Sequence, residues 1–414
     1  MAAASGKFYD ELETRDPEAR EAGLMAALPG LVARARETAP AFGRLLADID
    51  PATVNSRAAL AALPVTRKSS MMEIQKDEPP FGGLVATGLA DLAHVFASPG
   101  PIFDPEGTSP DYWHAARGLY AVGIRPGDLI HNTFSYHMTP AAWMVEGGAR
   151  ALGCPVFPGG VGNTEQQVEA MHRLRPAGYT GTPSFLKILL DKAAEMGLDI
   201  GGLKAASAAA EPLPVSLREE LEDRGIRVRE WYGTADMGCV AYQTEAREGM
   251  IVSEEMILEI VRPGTGNPVS PGEVGEMVIT HFNDDYPLIR FAPGDMTMIM
   301  PGVSPCGRTN IRIHGWMGRA DQATKVRGMF VRPEQIAEIV SRHPEIGRAR
   351  LVVGTVNNLD APTLRCEAQG DDRLAPAVAE TFRTVCKVRC EVELTAPGTL
   401  PNDGKVIDDT RVIG

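Results

Sequence analysis

Strand-like and helix-like patterns alternate through the middle of the chain, and this alternation predicts the fold. Short apolar runs that read as buried strands occur at positions 128–134, 155–158, 177–181, 203–207 and 226–229. Segments with helical spacing of apolar residues lie between or beside them, at positions 112–122, 144–152, 165–174, 185–197 and 215–224. Strands that alternate with helices in this way predict βαβ units and a parallel sheet.

The two ends of the chain have different patterns. Residues 7–75 repeat apolar positions at helical spacing, as in Leu24, Leu28 and Leu31, which predicts a helical cap over residues 1–75. Beyond Asp236, short strands with Gly-rich turns predict an antiparallel, barrel-like part. A charged stretch at 318–328 then precedes a last α+β unit. We therefore expect a large α/β domain, residues 1–320, and a small mobile lid, residues 321–414.

Composition narrows the class of protein. The 414 residues are 44% hydrophobic and 23% charged, as in ordinary globular proteins. The formal net charge of -13 argues against a nucleic-acid partner. A run of apolar residues long enough to span a membrane is absent, and the polar start of the chain has no signal-peptide pattern. With six scattered cysteines, the chain fits a reducing cytoplasm, and the sequence leaves open whether it forms a homodimer.

One stretch concentrates groups that suit a nucleotide. The strand-like run at 226–229 leads into Trp231, and we expect the strand to break at Tyr232, Gly233 and Thr234, just before Asp236. A ring, a glycine, a hydroxyl and a carboxylate suit an adenine face, a close backbone approach, a phosphate and a magnesium ion, respectively. Open α/β sheets bind ligands at the carboxyl ends of their strands.

Several motifs in order then resemble one family. They are Ala-Glu-Pro at 210–212, Tyr-Gly-Thr-Ala-Asp at 232–236, Pro-Gly-Glu-Val-Gly-Glu at 271–276, the segment 287–295, the charged stretch 318–328, and Gly-Lys at 404–405. From about residue 90 to its end, the chain resembles the adenylate-forming enzymes, and among them the phenylacetate–CoA ligase branch. Each motif alone is weak, whereas the ordered set is specific.

The resemblance implies a reaction in two steps. ATP and a carboxylic acid give an acyl adenylate and pyrophosphate, and the lid then rotates. Coenzyme A attacks the adenylate to give a thioester and AMP. The implied cofactors are ATP, Mg²⁺ and coenzyme A, and the implied partner is a small-molecule carboxylic acid.

The resemblance also implies residue roles. Lys405, Thr234 and Asp236 would be catalytic: the lysine would reach the substrate carboxylate and α-phosphate, the hydroxyl a phosphate oxygen, and Asp236 magnesium. Asp321 would be the hinge. Asp295, assisted by Arg319, would accept hydrogen bonds from the ribose. The full set of nucleotide-binding residues would be Ala210, Glu211, Pro212, Trp231, Tyr232, Gly233, Thr234, Asp295, Arg319, Lys325, Arg327 and Gly328.

The sequence indicates the class of the carboxylic acid substrate through the residues expected around it. Aromatic and small residues near strand ends suit a flat ring, so an aryl or arylacetic acid is expected. The predicted pocket residues are Phe134, Tyr136, His137, Ala209 and Gly233. For His137, a satisfied, partly buried histidine is an equally good interpretation. Asp295 and Lys405 taken alone also read as a turn residue and a solvated loop residue.

One departure from the family keeps rival functions open. The family's phosphate loop is rich in Ser, Thr and Gly and ends in Gly-Lys, whereas residues 98–101 here are Ser-Pro-Gly-Pro. Two prolines remove amide donors, and the loop has no cation. The alternatives to a CoA ligase are therefore an adenylating enzyme that transfers to a carrier protein or a cofactor, and a non-catalytic ligand-binding protein.

Overall fold

The structure is a computed structural model that describes residues 6–98, 100–320, 322–327, 329–356, 359–369 and 373–411. Asp321, Gly328 and Pro99, which carry expectations stated above, lie outside the described residues. The predicted α/β class is confirmed, with a large N-terminal part and a smaller C-terminal one. The exact division after residue 320 stays a prediction.

The N-terminal segment, predicted to be a helical cap on the large domain, is mostly helical and packs against the β-rich part of that domain. Its elements are 3₁₀ turns at Glu11–Thr14, Pro51–Thr53, Lys68–Ser70 and Leu89–Asp91, helices α1 (Pro17–Thr38), α2 (Pro40–Leu45) and α3 (Arg57–Ala61), strand β1 (Thr66–Arg67) and helix α4 (Met71–Asp77). Strand β1, which helical periodicity did not predict, pairs in parallel with Phe291–Ala292. Leu28, Leu31 and Val32 share one apolar core with the β-rich part of the body. The segment therefore completes the large domain.

The Gly- and Pro-rich passage that follows is a tight antiparallel hairpin. Strands β2 (His94–Ser98) and β3 (Ile102–Glu106) pair along their whole length. The side chain of Gln75 in α4 donates to the carbonyl oxygen of Phe103 at 2.8 Å and accepts from its N–H at 2.8 Å. These two hydrogen bonds satisfy backbone groups at the edge of strand β3 and hold the hairpin against helix α4.

The predicted alternation of helices and parallel strands is confirmed. Its elements are α5 (Ala115–Val122), β4 (Ile130–Asn132), α6 (Ala141–Leu152), β5 (Val156–Pro158), α7 (Thr164–Leu174), β6 (Gly178–Gly181), α8 (Pro183–Glu195), β7 (Ala205–Ala208), α9 (Val215–Asp223) and β8 (Arg227–Thr234). The parallel strand order is β5-β4-β6-β7-β8. Local chemistry starts helix α8, where Pro183 follows Thr182 and the Thr182 hydroxyl accepts from the N–H of Phe185.

The expected strand break at Tyr232 to Thr234 is wrong, because β8 continues to Thr234 as an antiparallel partner of the next strand. The β-rich part comprises β9 (Gly238–Tyr242), β10 (Met250–Val252), β11 (Met256–Val261), β12 (Gly275–His281), β13 (Phe291–Ala292), β14 (Met296–Thr297), β15 (Ile299–Met300) and β16 (Arg312–Ile313). The large sheet thereby extends in the order β8-β9-β10-β16-β15. A second sheet has the order β1-β13-β12-β11, with β14 beside β12, so the predicted antiparallel part is confirmed.

The C-terminal unit has its own apolar core. Its elements are β17 (Thr324–Val326), β18 (Met329–Val331), α10 (Pro333–Ser341), β19 (Ile346–Val356), β20 (Leu359–Ala368), α11 (Leu374–Cys386), β21 (Glu391–Thr395) and β22 (Ile407–Asp409). Leu351, Leu364 and Phe382 are fully buried in a cluster drawn from residues 326–407 alone. The charged stretch at 318–328 contains strand β17, which pairs with β18 so that Thr324 lies opposite Val331.

The loop that carries Lys405 lies against the large domain. Asn402 accepts from the N–H of Val274 at 3.0 Å and donates to the carbonyl oxygen of Gly272 at 3.1 Å. Gly404 has a φ of +70°, and an added Cβ would lie 2.7 Å from the sulfur of Met296, so this approach favours glycine. Met296 directly follows Asp295, so the loop contacts the segment that bears the predicted ribose ligand.

A buried arginine joins the two parts of the large domain and generates a stability prediction. Arg290 is 1% exposed, pairs with both oxygens of Glu259 at 3.0 and 3.1 Å, and donates to the carbonyl oxygens of Ala61 and Gly266 at 2.7 Å. We expect Arg290→Met to lower the free energy of unfolding by about 3–5 kcal/mol, because Glu259 would be left buried and unpaired. Urea denaturation followed by circular dichroism measures this loss.

The matched control is Arg365→Met. Arg365 pairs with Glu393 across two strands, but both side chains are about half exposed. We expect this change to cost under about 1 kcal/mol, because water replaces the lost partner. If the two variants lose equal free energy of unfolding, the inference that Arg290 stabilises the protein through a buried ion pair is wrong.

Candidate active site

One large cleft opens where the carboxyl ends of the parallel strands meet the β-rich part. Its volume is about 660 Å³, enough for a nucleotide fragment together with a small acid. The residues that line it are Ser98, Phe134, Thr139, Pro140, Ala141, Met144, Ala209, Ala210, Glu211, Pro212, Glu230, Trp231, Tyr232, Gly233, Thr234, Ala235, Gln243, Met250, Asp295, His314, Gly315 and Trp316. Most of the residues predicted from sequence to bind nucleotide or acid therefore meet in one place.

The loop after β7 forms one wall, and Glu230 holds it in position. The Glu230 carboxylate accepts from the N–H of Leu213 at 3.0 Å and from Arg218 at 2.8 Å, and Gln243 donates to it as well. Ala210 has a φ of +70°, a left-handed conformation that is unfavourable for a residue with a Cβ. This strained turn presents the predicted adenine wall, residues 210–212, to the cleft.

Asp295 receives three donors from two segments of the chain, the end of β8 and the stretch at 316–319. Tyr232 donates to Oδ2 at 2.6 Å, while Trp316 and Arg319 donate to Oδ1 at 2.9 and 3.0 Å. Burial raises the pKa of the Tyr232 hydroxyl, and the Asp295 carboxylate adds to the rise, so the hydroxyl keeps its proton. The structure thus brings together Tyr232, Asp295 and Arg319, which sequence analysis assigned to the nucleotide.

Close packing explains the glycine at position 233, and a hydrogen bond orients the threonine beside it. An added Cβ on Gly233 would lie 2.4 Å from the Trp231 ring and 2.6 Å from the carbonyl oxygen of Gly238. The Thr234 hydroxyl oxygen accepts from the N–H of Met237 at 3.2 Å, which leaves its own proton to donate. Thr234 lines the cleft with a donor suited to a phosphate oxygen.

Asp236 does not lie in the cleft wall. Its side chain is fully buried, and Oδ2 accepts from the Lys68 ammonium at 2.6 Å. Asp104, also fully buried, lies beside it, and burial together with the Asp236 carboxylate raises the pKa of Asp104. Asp236, the predicted magnesium ligand, is therefore already paired with the ammonium group of Lys68. As held here, its carboxylate does not fit a metal bound in the cleft.

One end of the cleft is apolar. Phe134 and Ala209 pack with the half-buried ring of Trp231, and the Phe134 and Trp231 rings meet edge to face at 6.3 Å. Phe134, Ala209 and Gly233, which were predicted to contact the acid, line the cleft. Tyr136 packs behind this end and donates to Glu146 at 2.7 Å. His137 is exposed in a surface turn, so neither of these two predicted residues lines the cleft.

The predicted residues of the C-terminal unit that the structure describes do not line the cleft. Lys405 donates to Asp408 at 2.9 Å and is about half exposed. Lys325 is exposed on β17, and Arg327 in the following turn contacts Asp360 through its backbone N–H and its guanidinium. Their roles stay predictions, since each depends on movement of the unit that carries them.

Sequence reasoning missed several residues of the site. Trp316 lines the cleft with 53% of its surface exposed, and His314 lies beside it. His314 and Trp316, the two aromatic residues on either side of Gly315, were the sequence signal that could have identified this part of the site. Lys68 and Asp104 had no such signal, because they approach Asp236 from segments more than 130 residues away in sequence, a separation that the sequence alone does not bridge.

Comparisons with known proteins agree with the geometry. Residues 115–283 match the model of the AMP-binding enzyme family. The chain is 32% identical over 380 residues to a phenylacetate–coenzyme A ligase of Thermus thermophilus, covering 87% of this chain and 84% of that one. It is 28% identical to the corresponding ligase of Pseudomonas putida, covering 97% and 96%.

A solved structure is similar over nearly the whole length. It is that of 2-hydroxyisobutyryl-CoA ligase in an open conformation with 2-HIB-AMP and CoA, with a TM-score of 0.73 and 27% identity over 97% of this chain and 93% of that one. Among the described residues, no helix combines the length and apolar character that a bilayer crossing requires.

The glycine beside Trp231 generates a prediction about the cleft. We expect Gly233→Ala to destabilise the protein by about 1–3 kcal/mol, because the new methyl group must displace the indole or the β9 backbone. Thermal unfolding measures the loss, and a change in Trp fluorescence should accompany it.

Gly147→Ala is the control for this variant. Gly147 lies in helix α6, and a Cβ added there meets no atom within 4 Å. Alanine should therefore be neutral or stabilise the helix by about 0.5–1 kcal/mol. If Gly233→Ala behaves like Gly147→Ala, the tight contact with Trp231 is absent.

Proposed function

The chain belongs to the AMP-binding, adenylate-forming enzymes and is phenylacetate–CoA ligase-like, and on that premise we propose that it activates an aromatic carboxylic acid. ATP and the acid would give an acyl adenylate, and coenzyme A would then accept the acyl group to give a thioester and AMP. The class of enzyme is an ATP-dependent, AMP-forming acid–CoA ligase. The aromatic acid is the finer part of the proposal.

The observation that carries the proposal is the division of one cleft into two chemically different ends. Tyr232, Asp295 and residues 210–212 offer a ring, a carboxylate and backbone edges suited to adenosine. Phe134, Ala209 and Trp231 form the apolar end. Thr234 and Gly233 line the cleft as well, and we place the reacting carboxylate and α-phosphate beside them.

The chain's own groups would then act as follows. Asp295 would accept from the ribose hydroxyls, taking the place of one of its present donors. Thr234 would donate to an α-phosphate oxygen, which stabilises the charge that builds there during attack by the acid. Lys405 would supply an ammonium to the same oxygen after the C-terminal unit turns, and return to solvent for the second step.

Aromatic preference follows from the walls of the apolar end. Phe134, Met144 and Trp231 offer flat or flexible apolar surface, and Ala141 and Ala209 leave room between them. Among the described residues, this end has no lysine or arginine to meet a second carboxylate. A neutral ring attached directly, or through one methylene, to the carboxyl group fits this surface best.

A panel of acids tests the substrate class. We expect AMP formation in the presence of coenzyme A with benzoate, phenylacetate and indoleacetate analogues, with specificity constants at least about tenfold above those for acetate and decanoate. Coupled measurement of AMP and of thioester absorbance follows the reaction. A clear preference for decanoate or acetate would reject the aromatic assignment, and adenylate formation without thioester would favour a different acyl acceptor.

The proposed role of Lys405 separates the two half-reactions. We expect Lys405→Ala to lower the rate of adenylate formation by at least about a hundredfold, because the α-phosphate loses a charge partner. Thioester formation from a supplied acyl adenylate should keep its rate, because that step does not need the ammonium. Pyrophosphate exchange and single-turnover thioester assays measure the two steps.

Lys387→Ala is the matched control on the same unit. Lys387 is an exposed lysine at the end of helix α11, and neither half-reaction should change when it is replaced. Equal loss of both half-reactions in a folded Lys405→Ala variant would remove the lysine from the adenylation step.

A further inference from the structure

The loop at 301–308 contains a thiol that the proposed reaction does not use. Cys306 is 2% exposed, whereas Val303, Pro305 and Gly307 around it are exposed. The sulfur therefore lies just beneath the surface of the protein. The structure describes this loop in full, and none of its residues lines the cleft.

Hydrogen-bond donors surround the sulfur of Cys306. The Ser304 hydroxyl donates to Sγ at 3.0 Å. Burial by itself would raise the pKa of this thiol, but hydrogen bonds from Ser304, Thr244 and Arg308 together lower the pKa below its ordinary value. The donors act in this direction because a thiolate accepts hydrogen bonds more strongly than a thiol does. The site therefore favours the charged, nucleophilic form of the sulfur.

The other five cysteines, all within the described residues, have the opposite environment. Burial raises the pKa of Cys154 to about 11 and that of Cys366, Cys386 and Cys390 to about 12, and it also raises the pKa of Cys239. Cys390 is nevertheless the one of the six that is not fully buried. It combines greater exposure with a protonated thiol and so provides an internal comparison for Cys306.

Arg308 supplies a second observation, independent of the thiol. It is fully buried, and its Nε donates to Glu13, which also accepts from Tyr242 at 2.8 Å. Within the described residues, Nη1 and Nη2 have no hydrogen-bond acceptor, although Nη1 lies 3.5 Å from a carboxylate oxygen of Glu245. Buried donors without an acceptor are costly. An oxygen atom bonded to the neighbouring sulfur of Cys306 would supply the missing acceptor.

We propose that Cys306 is a site of reversible oxidation, at which hydrogen peroxide converts the thiolate to a sulfenic acid. The sulfur attacks one peroxide oxygen, so that an S–O bond forms as the O–O bond breaks. Sulfur loses two electrons and the peroxide gains them, and the departing hydroxide takes a proton from solvent to give water. Arg308 and Ser304 then donate to the new oxygen. This inference does not depend on the proposed function.

Peroxide treatment of the native wild-type protein tests the inference. After brief exposure and quenching, the protein is unfolded, its remaining thiols are alkylated with iodoacetamide, and peptide mass spectrometry gives the oxidised fraction at each cysteine. We expect Cys306 to be oxidised at least about tenfold faster than Cys390, and dithiothreitol to restore the thiol. Oxidation of Cys390 at an equal or greater rate in the native protein overturns the inference.

The same measurement in urea shows whether the fold causes the difference. Unfolding removes the donors from Cys306 and the apolar surroundings from Cys390, so both thiols should return to ordinary reactivity. We expect their rates in urea to differ by less than about threefold. A tenfold preference for Cys306 that persists in urea would come from local sequence, and would overturn the assignment to a folded site.

A matched pair of serine variants tests the cause. We expect Ser304→Ala to slow the oxidation of Cys306 by at least about threefold, because the sulfur loses its hydroxyl donor. Ser216→Ala, an exposed change in helix α9, should leave the rate unchanged. Arg308 stays in place in both variants, so Glu13 keeps its partner, and circular dichroism verifies the fold. An unchanged rate in folded Ser304→Ala would overturn the role of this pocket.

Discussion

The carboxylate of Asp295 holds the walls of the cleft together. Its donors are Tyr232 near the end of β8 and, in one short stretch after β16, Trp316 and Arg319. Because Asp295 as a residue is only 8% exposed, these bonds form away from bulk water, where each is stronger and an unpaired carboxylate is costly. One buried charge thus joins the end of β8 to the stretch at 316–319, beside the backbone bridge that pairs Asp295 with Arg319.

Strand β8 makes this arrangement possible because it pairs in parallel with one neighbouring strand and antiparallel with the other. It pairs in parallel with β7 only as far as Ala208 opposite Glu230, and in antiparallel fashion with β9 from Trp231 to Thr234. Trp231, Tyr232 and Thr234 therefore extend beyond the edge at which the parallel strands end. Ligands of open α/β sheets bind at that edge. The same strand carries Trp231, in the wall of the apolar end, and the Thr234 hydroxyl, which we propose donates to a phosphate oxygen.

The sequence could predict what local pattern and ordered motifs encode. Alternating periodicity located the parallel strands and helices, and the motifs named Tyr232, Thr234, Asp295 and residues 210–212, which the fold brings to one cleft. It could not predict partners that meet only through tertiary packing. From sequence, Asp236 was expected to be free to bind magnesium, but in the structure it is paired with Lys68. From sequence, His137 was expected in the acid pocket, but in the structure it lies exposed at the surface. Strand β1 was missed because two residues carry no periodicity.

The side chain of Gln322 connects the Asp295 end of the cleft, through Arg319, to the loop that carries Lys405. It donates to the carbonyl oxygen of Arg319 at 2.8 Å, and its own carbonyl accepts from the N–H groups of Val406 and Ile407 at 2.9 Å. Arg319 in turn donates to Asp295. A ribose that displaces a donor from Asp295 would therefore change the surroundings of Arg319, and through this amide the seat of the lysine loop. Rotation of the C-terminal unit about residue 321 would carry Gln322 together with Val406 and Ile407, so the bond to Arg319 is the one that would break, and it would set part of the free energy that separates the lid orientations.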